Sequence, residues 1–195
     1  MPASPHVCAI RSKIGNDLLV LPSVAIMLFD SRGRLLLAQD AASGLWMTVG
    51  GAIEPDETPA DAAVRECWEE TGLLIEPTGL LGVFGGPGFQ VTYPNGDVTI
   101  YVVSVFLARR IGGRASPDGL EASAVRFVSC EEAAILPMAP LTRDMVTHTF
   151  AYEGEPYFAR PKWRPRGRRR LRTAPPARGG AQLRMISPHG AIIRS

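Results

Sequence analysis

The segment that decides the fold is GAIEPDETPADAAVRECWEETGL, residues 51–73. Thr58 places a capping hydroxyl before Pro59, a residue suited to the first position of a helix, and Asp61 follows as a capping-box partner. At the other end stands Gly72, and glycine readily adopts the left-handed conformation that closes helices. The pattern predicts a helix that begins after Thr58 and ends at Gly72.

Three glutamates, Glu66, Glu69 and Glu70, share one face of this predicted helix, because they follow i, i+3, i+4 spacing. Like charges at this spacing destabilise an isolated helix by roughly 0.2–0.5 kcal/mol per pair. The crowding becomes favourable when a cation binds over the face, and carboxylate oxygens suit Mg²⁺ or Mn²⁺. A solvated acidic face is the alternative, and a generic run of this kind favours it.

The residues around the glutamates favour metal binding. The segment resembles the Nudix box, G-x5-E-x7-R-E-U-x-E-E-x-G-U, where U is a bulky apolar residue, and Leu73 fills the last apolar position. Cys67 departs from the aliphatic residue usual at the first apolar position, and Val49 stands where family members often carry proline. The fixed positions are all filled, by Gly51, Glu57, Arg65, Glu66, Glu69, Glu70 and Gly72.

The resemblance implies a Nudix-type α/β/α sandwich around a mixed β-sheet, and the flanking sequence agrees. Apolar runs bounded by turn residues predict strands at 24–30, 34–39 and 99–108. Two further helices are predicted at 131–136 and 141–150. Strands mixed with a few helices indicate a layered α/β or α+β domain.

The resemblance also assigns residues to the metal site. It implies that Glu66, Glu69 and Glu70 supply metal-binding carboxylates, and that the main-chain carbonyl of Gly50 is a further candidate ligand. Glu121 is the candidate extra ligand or base, because family members often place a carboxylate just before a strand that ends in an aromatic residue, here Phe127. An ordinary loop acid is the alternative for Glu121.

Four residues of the motif are implied to be structural. Glu57 and Arg65 would pair and hold the loop against the helix, with a plain surface salt bridge as an equally compatible alternative. Gly51 and Gly72 complete the structural set.

The chemistry implied is the in-line attack of water on a phosphorus of a P–O–P linkage, with Mg²⁺ or Mn²⁺ stabilising the phosphate oxygens. A carboxylate would orient or deprotonate the water. Glu69, Glu66 and Glu121 all stay open as that base, since family members differ in where the base lies.

The substrate is not determined by the box. Nucleoside triphosphates, ADP-ribose, nucleotide sugars and dinucleoside polyphosphates all stay open as small-molecule substrates. Phe89, Tyr93 and Tyr101 are candidates to stack on a nucleobase, although aromatic residues near strands more often belong to the core. A non-catalytic module of this fold, which senses a nucleotide or binds nucleic acid, is the alternative function.

The charge of the chain is unevenly distributed. Residues 1–155 contain all 19 acidic and 10 basic residues, a net charge of −9, whereas residues 156–195 contain 11 basic residues and no acid. We therefore predict a catalytic domain at 1–155 and a basic tail at 156–195, rich in Pro, Gly and Arg, that stays disordered alone. Such a tail suits weak contact with polyanions, or docking on the acidic body.

Composition also constrains the setting of the protein. No apolar run reaches the ~20 residues needed to span a bilayer, and the first residues lack the apolar region of a secretory signal. The three cysteines are odd in number and widely spaced, which argues against a disulfide framework. We expect a cytoplasmic protein, and a homodimer stays open.

Overall fold

A computed structural model describes residues 4–164 of the chain. The chain divides into a unit at Met1–Arg160 and a unit at Pro161–Ser195, and the described elements all lie in the first. The helices are α1 (Pro5–Ile14), α2 (Pro59–Thr71), α3 (Cys130–Ile135) and α4 (Pro140–Phe150), with a short 3-10 helix at Pro87–Phe89. The strands are β1 (Leu19–Leu28), β2 (Leu35–Asp40), β3 (Trp46–Met47), β4 (Leu73–Phe84), β5 (Gln90–Thr92), β6 (Val98–Gly113), β7 (Ala122–Val128) and β8 (Tyr157–Phe158).

Helix α2 begins and ends as the sequence predicts. The Thr58 hydroxyl accepts a hydrogen bond from the Asp61 backbone N–H at 3.2 Å, and the Asp61 carboxylate accepts one from the Thr58 N–H. Gly72 ends the helix with φ 66° and ψ 13°, and its N–H donates to the carbonyl of Trp68. A Cβ at Gly72 would lie 2.8 Å from the Arg114 carbonyl oxygen, so the space and the backbone angle both require glycine.

The larger sheet is mixed. Its order is β1-β6-β4-β8, with β5 also paired to β6. Strand β1 runs parallel to β6 over ten residues, from Leu19 opposite Thr99 to Leu28 opposite Ala108. Strand β4 is antiparallel to β6 and parallel to β8. A smaller antiparallel sheet has the order β3-β2-β7.

The core forms two layers, one on each face of the larger sheet. Ala25 and Met27 of β1 join a cluster that includes residues of α3 and α4, whereas Val24 and Ile26 join a cluster that includes residues of α2. Alternate residues of a strand point to opposite faces, so α2 covers one face and α3 and α4 cover the other. The predicted α/β/α sandwich with a mixed sheet is confirmed.

The predicted strands correspond to β1, β2 and β6, and the predicted helices to α2, α3 and α4. Helix α1 was not predicted. Strand β8 lies just past the predicted domain boundary at residue 155, yet it pairs with β4 of the domain. The Tyr157 ring also stacks on the Phe84 ring, with 4.6 Å between the ring centroids. The predicted tail falls mostly at 165–195, outside the described residues, and its disorder stays a prediction.

None of the helices that the structure describes between residues 4 and 164 has the length and apolar character needed to span a bilayer.

Candidate active site

Helix α2 carries three carboxylates with different environments. Glu66 and Glu70 are buried, with exposed fractions of 7% and 5%, whereas the side chain of Glu69 is 57% exposed. The burial follows from helical spacing, because Ala62, Ala63 and Cys67 on the same helix pack into the core beneath. Two carboxylates are therefore held at the boundary between core and solvent.

The loop before α2 lies directly against these carboxylates. The Val24 N–H donates to the Gly51 carbonyl at 2.9 Å, which fixes the loop to β1. Gly50 has φ 146°, and a Cβ there would lie 2.1 Å from the Val24 carbonyl oxygen. A Cβ on Gly51 would lie 2.4 Å from Oε1 of Glu66. Gly50 is needed because the Val24 backbone occupies the space of a side chain, whereas at Gly51 that space is occupied by the end of the Glu66 side chain.

Arg65 connects the loop to the helix. Its guanidinium donates to both Glu57 oxygens, through Nε at 3.0 Å and Nη2 at 2.6 Å, and to the Ala52 carbonyl at 3.0 Å. Nη1 donates to Glu66 at 2.8 Å and to Glu69 at 3.1 Å. The Arg65 hydrogen bonds hold the pKa of Glu57 below its ordinary value, against the effect of burial. The predicted pairing of Glu57 with Arg65 is thus present, and Arg65 contacts two of the helix carboxylates as well.

Glu121 reaches the site from the loop before β7. Ala122, the first residue of β7, belongs to the same core cluster as α2. The Ala41 N–H donates to the Glu121 carbonyl at 2.9 Å and ties this loop to the end of β2. The structure therefore brings Glu121 beside α2, although the two are far apart in sequence.

Comparison with known proteins identifies the domain. Residues 20–149 match the family model for the NUDIX domain, which is more than half of the chain. The chain belongs to the Nudix family.

Individual Nudix proteins show how far the likeness extends. The chain is 45% identical over 112 residues to a MutT-like protein of Streptomyces ambofaciens, covering 57% of this chain and 66% of that protein. It is 30% identical over 104 residues to a putative 8-oxo-dGTP diphosphatase of Bacillus subtilis, covering 53% and 63%. The chain thus spans slightly less than two thirds of each relative. The crystal structure of a UDP-X diphosphatase superposes with a TM-score of 0.57 at 17% identity, covering 78% of this chain and 71% of that one, which shows a shared fold.

The negative charges on α2, the helix that carries the Nudix box (the Nudix helix), suit a cation. Burial is the main cause that raises the pKa of Glu66 and of Glu70, and repulsion from Glu66 adds to the shift at Glu70. A hydrogen bond from the Gly50 N–H to Glu70 at 3.3 Å opposes it only in part. Burial also raises the pKa of Glu121, with Asp118 and Glu69 as contributing negative charges. A divalent cation would relieve this repulsion.

The oxygen atoms of these carboxylates suit a divalent metal, although the side chains are not arranged as a complete metal site. In residues 4–164, no three Asp, Glu, His or Cys side chains are gathered closely enough to form a complete metal site. A single nitrogen of Arg65, Nη1, donates to one oxygen of Glu66 and to one of Glu69, so these two carboxylates share a cationic partner. Nudix enzymes generally use divalent cations, and the oxygen donors of this helix suit hard cations.

The aromatic residues predicted to stack on a nucleobase do not all lie beside α2. Phe89, predicted to stack on a nucleobase, is instead a core residue, 5% exposed and tilted against Phe84 at 6.0 Å between ring centroids. The hydroxyls of Tyr93 and Tyr101 hydrogen bond to each other. Tyr101 packs in the cluster on the α4 face, across the sheet from α2. The predicted stacking role of Phe89 is therefore wrong, because its ring is buried in the core, whereas the roles of Tyr93 and Tyr101 stay predictions.

Asp118 is a residue near the site that the sequence reasoning missed. Its carboxylate accepts hydrogen bonds from the backbone N–H groups of Leu120, Glu121 and Ala122, at 3.1, 3.1 and 2.8 Å. The available signal was the run Pro117-Asp-Gly119, because Asp in such a turn bonds to the backbone that follows.

Proposed function

We propose that this Nudix domain is a Mg²⁺- or Mn²⁺-dependent pyrophosphohydrolase that cleaves a P–O–P bond in a nucleotide. The observation that carries the proposal is the burial of Glu66 and Glu70 beside Glu121. Burying carboxylates near one another costs folding free energy unless something compensates their charge. A site that binds a cation and phosphate provides that compensation.

Each carboxylate has a separate part in the proposed reaction. Glu66, Glu69 and Glu70 would hold the metal, with the Gly50 carbonyl as a further candidate oxygen ligand. The bound metal would neutralise phosphate oxygens and stabilise the leaving group. Arg65 keeps the metal-binding helix and the glycine loop in register through its bonds to Glu57 and Ala52.

Glu121 is the proposed general base. Glu66 and Glu69 accept hydrogen bonds from Arg65, and Glu70 accepts one from Gly50, so the α2 carboxylates already have fixed partners. Glu121 comes from a different element, and its charge acts on Glu66 and Glu70, which suits it to accept the proton of the attacking water. Its raised pKa means that activity should rise with pH as Glu121 ionises.

A nucleoside triphosphate is the first substrate class to test, because the Bacillus subtilis relative is named a putative 8-oxo-dGTP diphosphatase. The screen compares ordinary and oxidised nucleoside triphosphates, ADP-ribose, nucleotide sugars and dinucleoside polyphosphates, each with Mg²⁺, with Mn²⁺ and with a chelator. Metal-dependent release of a nucleoside monophosphate would support the proposal. Nucleotide binding without turnover of any substrate would favour the non-catalytic module instead.

The base is tested by Glu121→Gln on the substrate that the screen identifies. We expect lower turnover and loss of the ascending limb of the pH–rate profile. An unchanged profile would return the role of base to Glu66 or Glu69, and the corresponding Gln variants would then be compared in the same way.

A further inference from the structure

The loop from Asp118 to Glu121 is ordered by internal hydrogen bonds, although most of its residues are exposed. One oxygen of Asp118 accepts three successive backbone N–H groups, and the other oxygen lies 3.2 Å from the Glu121 N–H as a further acceptor. The Gly119 N–H returns to the Ala122 carbonyl at 3.0 Å and closes the turn. The backbone of Glu121 is thus held from its amide side by Asp118.

The same residue is held from its carbonyl side. The Glu121 carbonyl accepts the Ala41 N–H, and Ala122 pairs with Asp40 of β2. Ala122 itself is 2% exposed and packs in the cluster that contains α2. The contacts on both sides of Glu121 therefore fix its backbone position beside α2.

The charge of Asp118 suits this role. Burial opposes the ionised form, but the N–H groups of Ala122, Glu121 and Leu120 outweigh it and lower the pKa of Asp118. The side chain is therefore an ionised acceptor at neutral pH, and hydrogen bonds to a charged acceptor are stronger than neutral ones.

We propose that Asp118 is a positioning residue for hydrolysis: its carboxylate orders residues 120–122 and thereby aims Glu121 at the site formed by α2. The inference rests on the proposed function and on Glu121 as its base. Asp118 acts through the backbone, so its acceptor oxygens matter and its negative charge does not enter the reaction.

The distinguishing comparison is Asp118→Ala against Asp118→Asn. Alanine removes the acceptor, and a displaced base should lower kcat by about tenfold to a hundredfold with little change in KM. Asparagine keeps an oxygen that can accept the same N–H groups, so its kcat should stay within about threefold of wild type. If both variants lose activity equally, Asp118 contributes its charge directly and the positioning role is wrong.

A double-mutant cycle tests whether Asp118 acts through Glu121. In a Glu121→Gln background, Asp118→Ala should cost little further turnover, because the group that it positions is already inactive. Additive losses would overturn the proposal. Asp30→Ala is the matched control, since Asp30 accepts two backbone N–H groups in the turn between β1 and β2, and it should leave kcat unchanged.

Amide hydrogen exchange separates this inference from the proposed function. In Asp118→Ala, the amides of residues 120–122 should exchange faster while those of α2 keep their protection; Asp118→Asn should resemble wild type. Unchanged protection in the alanine variant would overturn the positioning role even if the enzyme is active. Wild-type protein with ordered amides but no hydrolysis of any nucleotide would instead overturn the proposed function, and with it the reason for the ordering.

Discussion

Helices α2 and α4 cover opposite faces of one sheet, and they use their buried positions differently. Helix α2 has a capping box at its start and a left-handed glycine at its end, yet it buries Glu66 and Glu70. Helix α4 has no side-chain cap, and its buried residues are Thr142, Met145, Val146 and Thr149. The Thr149 hydroxyl donates to the Met145 carbonyl at 2.8 Å, so its burial is satisfied within the helix.

The comparison shows that the buried carboxylates of α2 lower the stability of the folded domain, whereas the buried residues of α4 do not. The capping box at the start of α2 and the left-handed glycine at its end stabilise the helix that carries the buried carboxylates. Helix α4 needs no such support because its packing is favourable by itself. Substitutions on the two helices should therefore separate activity from stability.

The largest effect is expected for Glu70→Gln. The variant removes a proposed metal ligand, and turnover should fall by about 100-fold or more. Because Glu70 is buried and its pKa is raised well above 4.5, the neutral side chain should also raise the melting temperature at neutral pH. Metal-dependent kinetics and thermal unfolding of the same samples measure both effects.

Glu69→Gln is the matched comparison for Glu70→Gln. Glu69 is largely exposed, so its replacement should lower activity without a gain in thermal stability. Wild-type turnover by both variants in limiting Mg²⁺ would contradict the metal assignment.

The opposite outcome is expected on α4 for Met145→Ala. Met145 is 2% exposed, and truncation of such a side chain costs about 2–5 kcal/mol of unfolding free energy. Because α4 lies across the sheet from the carboxylates, kcat per folded molecule should stay near wild type at low temperature. A large fall in kcat with little loss of stability would mean that the α4 face takes part in the reaction.

A smaller, pH-dependent effect should sharpen the same contrast. Folded-state pKa values of Glu66 and Glu70 above 4.5 mean that the unfolded chain ionises first. The stabilising contribution of Glu66 and Glu70 to the folded state is therefore present below pH 4.5. It is lost as the pH rises through their folded-state pKa values. The gap in melting temperature between Glu70→Gln and wild type should widen with pH over that interval. Saturating Mg²⁺ should narrow the gap, because it binds the folded wild type more tightly; a gap independent of pH would contradict the account.

The smallest effect on catalysis is expected from deletion of residues 165–195. No proposed site residue lies there, so hydrolysis of small nucleotides should change little. If the tail contacts polyanions, the full-length protein should be retained on heparin or RNA at low salt, and this retention should fall steeply as salt rises and disappear on deletion. Full-length protein that ignores both polyanions would remove the polyanion hypothesis, and loss of catalysis in a folded truncation would place tail residues in the site.

The sequence predicts this fold best where the signals are local. Helix α2 is specified by Thr58, Asp61 and Gly72, which act within a few residues of one another, and the structure has the predicted caps. Helix α1 had such a signal too, because the Ser4 hydroxyl accepts from the Val7 N–H and Pro5 follows at the first helical position. None of the α1 residues is buried, so the helix lacks the apolar periodicity that indicates a helix packed on a core.

The parts that sequence could not predict depend on distant partners. Strand β4 contains Pro77 and Gly79, which suggest a turn, and its pairing with β6 tolerates them through register shifts. Phe89 is buried because Phe84 and the α4 face lie over it, and sequence spacing does not encode that contact. The resemblance indicates Glu121, but the role proposed for Asp118 depends on backbone hydrogen bonds whose geometry residue spacing does not specify.

The parallel pairing of β1 with β6 has a consequence for how the molecule is made. Ser23 and Val102 are neighbours in the sheet, yet 79 residues separate them in the chain. Pairing over such a separation closes a long loop before it gains any contact, so it is intrinsically slow. A growing chain therefore cannot assemble the centre of the sheet until β6 has left the ribosome. Helix α2 packs in the same core cluster as residues of β1 and β4, so the burial of Glu66 and Glu70 depends on the same sheet being assembled.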